Sequence, residues 1–99
     1  VEGKKMKIDL MIGEAEKTFR AEFVSGLVFR KFLELRTKHN LNDMEEEAVE
    51  EVVGLIVQAY NNQFTVDEFW SGKDARKIMP TISEFLQELT TGKESPEGK

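Results

Sequence analysis

The sequence has no cysteine, which removes both a disulfide framework and a thiolate zinc site and fits a reducing compartment. No apolar run approaches the ~20 residues needed to cross a bilayer, and no signal-peptide core precedes Met6, so no membrane partner is expected. Nor is there a glycine-rich phosphate loop, a nucleophile elbow around Ser25 or Ser71, or the Asp-x-Asp-x-Asp-Gly pattern of a calcium loop. With a formal charge of -5 the chain lacks the overall basic balance of nucleic-acid binders. No cofactor, metal, nucleic-acid partner or catalytic residue is therefore expected.

What is present is one domain's worth of patterned chain. Its 99 residues suffice to bury roughly 60–65% of the unfolded surface without covalent staples. Met6, Ile8, Leu10 and Ile12 alternate with Lys7, Asp9 and Met11, as in a half-buried strand. Gly13-Glu14-Ala15-Glu16 supplies a turn. Alternation resumes over Thr18–Val24, with Phe19, Ala21 and Phe23 on one face. Two such strands read as an antiparallel hairpin, and a hairpin needs a cover in water.

Helices supply it. Ser25 is a candidate cap for a helix over about 26–39 carrying Val28, Phe29, Phe32, Leu33 and Leu35 on or near one stripe. Asn42 or Asp43, each with a glutamate three residues on, caps a second helix in which Ala48, Val49, Val52, Val53, Ile56, Ala59 and Tyr60 recur at helical spacing. Thr65 and Glu68 form a capping pair for a short helix, with Phe64 placed to pack on Phe69. A last helix over about 74–90 carries Ile78, Met79, Ile82, Phe85, Leu86 and Leu89 as its apolar stripe. Pro80 interrupts it and predicts a kink or a late start. The fold class is α+β: an N-terminal β-hairpin packed against a mostly helical body of three to four helices. Residues 6–91 form a single domain; 1–5 read as a remnant or flexible segment before Met6, and 92–99 as a flexible polar tail.

The charged clusters have ordinary explanations. Glu45, Glu46, Glu47, Glu50 and Glu51 suit the positive end of a helix dipole and a solvated face. His39, the single histidine, reads as a surface residue or dipole partner at a helix C-terminus. Asp67 and Glu68 fall where a capped helix wants acids. Arg30, Lys31, Arg36 and Lys38 make the first helix basic on its polar side and predict pairing with the acidic second helix, within the molecule or between subunits. Two readings of Phe64, Phe69 and Trp70 stay open: a satellite cluster under a loop, or an exposed patch used in association. With Ile78, Phe85 and Leu89 they are the candidate protein-contact residues.

Four segments carry a resemblance: Met6-Lys-Ile-Asp-Leu10, Lys17-Thr-Phe-Arg-Ala-Glu-Phe23, Phe29-Arg-Lys-Phe-Leu-Glu34 and Asn62-Gln-Phe-Thr-Val-Asp-Glu-Phe-Trp-Ser-Gly72. Together they resemble tail assembly chaperones of siphophages and prophages of Gram-positive bacteria. Likeness extends over about 6–89 and rests on the order and spacing of apolar residues; Pro80 departs from it. The resemblance implies a non-enzymatic protein that self-associates into a homo-oligomer, a spiral or a ring, in the host cytoplasm. It implies binding to the tape measure protein, help to the tail tube protein, and departure before the virion matures. It also implies a longer frameshifted form, for which 92–99 is the place an extension would begin. Two alternatives remain beside it: a generic bacterial protein-interaction or regulatory domain with another client, and a small enzyme or metal-binding protein using the glutamate cluster.

Overall fold

The computed structural model describes residues 6–41 and 43–91; the expectations for 1–5, for 92–99 and for an Asn42 cap lie outside them. Two strands, β1 (Met6–Ile12) and β2 (Ala15–Ala21), precede α1 (Gly26–Lys38), α2 (Glu46–Ala59), the short α3 (Val66–Gly72), a 3-10 turn over Ala75–Lys77, and α4 (Ile78–Thr91). The fold is α+β, a hairpin and four helices, as the sequence predicts.

The strands pair antiparallel, with Ile8 opposite Phe19 and Ile12 opposite Ala15. Only Gly13 and Glu14 turn the chain, because Gly13 takes a left-handed φ of 68° that a tight hairpin turn requires and L side chains resist. This places β2 three residues earlier than alternation suggests. Phe23 consequently falls outside the sheet and is 75% exposed, rather than sharing a face with Phe19 and Ala21. Met6, Ile8 and Leu10 turn their side chains into the core.

Ser25 caps α1: the Leu27 N–H donates to its Oγ at 3.1 Å. The second helix starts later than an Asp43 cap would have it. Its N-cap is Glu45, which makes no side-chain cap bond, while the Asp43 N–H donates to the Asn40 carbonyl in the preceding turn. Glu46 and Glu47 supply acids to its first turn, where they favour the positive end of the helix. Seven α2 residues, Ala48, Val52, Val53, Leu55, Ile56, Val57 and Ala59, are buried. Neighbours on several sides explain an apolar surface wider than one stripe: α1, α3 and α4 all pack on α2.

Helix α2 stops on two left-handed asparagines, Asn61 (φ 58°) and Asn62 (φ 60°). The Asn62 N–H reaches the Val57 carbonyl and the Asn61 N–H the Gln58 carbonyl, the paired bonds of a Schellman ending. The chain then enters α3 through a complete capping box. Glu68 N–H donates to Thr65 Oγ1, and Thr65 N–H to Glu68 Oε1, at 3.0 and 2.9 Å. Pro80 produces the late start: the 3-10 turn ends at Lys77 and α4 begins at Ile78. That leaves the proline in the first turn, where an absent N–H breaks no helical bond.

Candidate interaction surface

The six side chains expected to make protein contacts divide by depth. Phe64, Phe69, Ile78 and Phe85 belong to the buried core, and Trp70 and Leu89 are half-buried against it. Phe64 stacks at tilted angles on Phe19 and Tyr60, with ring centroids 5.0 and 5.5 Å apart. Phe69 meets Trp70 edge-on at 5.9 Å. Such pairs add to the area they bury, and they tie the α2–α3 junction to the hairpin. A partner reaches Phe64, Phe69, Ile78 or Phe85 only by opening the fold. The Trp70 indole N–H is buried and has no acceptor among the described residues.

Large apolar side chains do face solvent, and they include Phe29 and Met79, which helical spacing predicts on apolar stripes. Phe23 and Leu27, the second 71% exposed, flank the Ser25 cap, and Phe29 follows on α1. Met11 on β1 and Met79 on α4 are also exposed. Phe23 was legible as an aromatic in an alternating run; its release to solvent depends on where β2 ends. The buried stripe of α1 narrows to Val28, Phe32 and Leu35; Leu27 lies outside it, and Phe29, which the spacing predicts on or near the stripe, turns to solvent instead.

Two shallow hollows border α1. One, of about 400 Å³, lies between α1 and α2 and is lined by charged Lys31, Glu34, Lys38 and Glu51 together with Gly54. Gly54 has open space where a side chain would stand, so no neighbour comes close there. The other, of about 470 Å³, lies between α1 and α4, with Phe32, Leu41 and Leu86 among more polar neighbours.

The expected α1–α2 pairing is made by Lys38, whose Nζ donates to Glu51 Oε2 at 3.0 Å. That bond, first of several causes, holds the Glu51 carboxyl below the usual carboxylate range and raises the Lys38 ammonium. Arg36 instead lies over the Phe32 ring, 5.8 Å from its centre. His39 is the C-cap of α1. Its side chain is only 7% exposed rather than on the surface, with Nε2 3.4 Å from the same Glu51 oxygen.

Fold and surface together define a small α+β domain whose conspicuous outer features are solvent-facing aromatic and aliphatic side chains beside shallow hollows. Residues 4–99 match the family described as phage tail chaperone protein, and the chain belongs to that family. No curated protein and no solved structure matches it.

Proposed function

We propose that this chain is a non-enzymatic tail assembly chaperone that self-associates and binds the tape measure protein in the host cytoplasm during tail morphogenesis. It assists the tail tube protein and leaves before the virion matures. The observation that carries the reading, beside family membership, is the exposure of Phe23 and Leu27 on either side of a well-formed helix cap. Apolar side chains held out by ordered backbone suit partner binding. The hollow between α1 and α4, with the half-buried Leu86 beside it, and the outer parts of Trp70 and Leu89 extend the surface available to an elongated helical client. Self-association would multiply such weak contacts through effective concentration.

The test is co-expression with a cognate tape measure protein, scored by soluble co-purification and by the oligomeric state of the chain alone. A client kept soluble by the chain, and lost when Phe23 and Leu27 are made polar, is the expected result. If the client stays insoluble with this chain and with any longer form of it, the reading fails. A protein-interaction domain with a different client would then replace it.

A further inference from the structure

Three groups that the sequence scatters meet at the C-terminal end of α1. Glu47 and Glu51 are one turn apart on α2, so both carboxylates leave the same side of that helix. His39 faces them from the cap of α1, and one ligand atom from each residue lies within 4.8 Å of the other two. His39 is the informative member. Its backbone is fixed by an N–H to Leu35 carbonyl bond of 2.8 Å, and its nearly buried ring holds Nε2 toward the carboxylates.

We infer that His39, Glu47 and Glu51 form a binding site for a divalent transition ion of the zinc type, which fastens the end of α1 to the first two turns of α2. Two ligands of a tetrahedral zinc, each at about 2.0–2.1 Å, stand about 3.3–3.4 Å apart. His39 Nε2 and Glu51 Oε2 are already at 3.4 Å. Closing the site requires that Glu47, an exposed side chain, swing inward and that Lys38 release Glu51. One imidazole with two carboxylates favours zinc and its neighbours over magnesium or calcium, which take all-oxygen shells. Two carboxylates also match the ion's charge. The competitor is the Lys38 ammonium on Glu51, 57% exposed on a flexible stem, and an ion would displace it toward solvent. A fourth position stays open on the solvent side.

The site is tested with tag-free chain, titrating zinc chloride while following the imidazole resonances, which belong to His39 alone because the chain has one histidine. Expected are a saturable one-to-one shift of those resonances and a rise in melting temperature with zinc, but not with equal magnesium. Glu47→Gln, at an exposed position that leaves the fold intact, and Glu51→Gln should each weaken binding by at least about tenfold, a loss that even an outer-shell partner can cause. An imidazole unmoved by excess zinc overturns the assignment. So does a shift of equal affinity in both glutamine variants, which would make it the property of a solitary histidine.

Discussion

Gly72, the last residue of α3, stands so close to β1 that a Cβ built on it would lie 2.5 Å from the Met11 carbonyl oxygen and 3.1 Å from the Met11 nitrogen. Helix and strand meet backbone to backbone there. Neither side can yield as a flexible side chain would. Gly72→Ala should therefore destabilise the domain by about 1–3 kcal/mol, the usual cost of overpacking a tight contact. Denaturant unfolding measures it; a change under about 0.5 kcal/mol would mean that α3 slides off β1 without loss.

Gly54 should behave in the opposite way. Open space surrounds its would-be Cβ in the middle of α2, so Gly54→Ala gains helix propensity without a clash. A gain of about 0.5–1 kcal/mol is expected. Calorimetry on the pair Gly54→Ala and Gly72→Ala separates a glycine kept for close approach from one that is not; a destabilised Gly54→Ala would place a neighbour over that face.

Thr65→Ala removes the hydroxyl that accepts from the Glu68 N–H. Loss of the cap should cost about 1 kcal/mol, seen as a lower melting temperature and as faster amide exchange in α3 than in α2. Equal exchange changes in both helices would show that α3 does not fray separately.

Tyr60 is the chain's one tyrosine and is buried. Burial first, then the carboxylates of Glu88 and Asp9, push its phenol well above the ordinary range. The folded state thus prefers the protonated phenol more strongly than the unfolded chain, whose value is about 10. Its contribution to stability is complete below that pH and is lost progressively as pH rises above it. Phenolate absorbance should appear together with alkaline unfolding, and Tyr60→Phe should flatten the alkaline decline relative to the parent. Phenolate forming at the ordinary pH while the fold persists would refute this.

Phe23→Ser combined with Leu27→Ser should alter unfolding free energy by no more than about 0.5 kcal/mol, since both side chains already face water. The same variant should shift sedimentation toward the monomer. Unchanged assembly would move the contact surface elsewhere, toward Met11 or Met79.

Local chemistry was legible wherever it is settled within a few residues. The Ser25 cap and the Thr65–Glu68 box each need only neighbours in sequence and are found where the spacing puts them, and of the kink or late start that Pro80 predicts it is the late start that forms. Alternation located β1, but it could not say how tightly Gly13 turns, because that depends on a left-handed backbone angle. The error moved the end of β2 and with it the fate of Phe23. The start of α2 was misplaced for a related reason: Asp43 looks like a cap, yet its amide is committed to the turn that ends α1.

By itself the sequence determined the α+β class, the amphipathic helices, their local caps and the resemblance to tail chaperones, because periodicity and capping are short-range properties of the chain. Only the tertiary structure decided depth and juxtaposition. It sank Phe64 and Phe69 into the core while leaving Leu27 in water, and it carried His39 to Glu47 and Glu51. Burial and proximity depend on which helix covers which face, and that is set by all the packed elements at once.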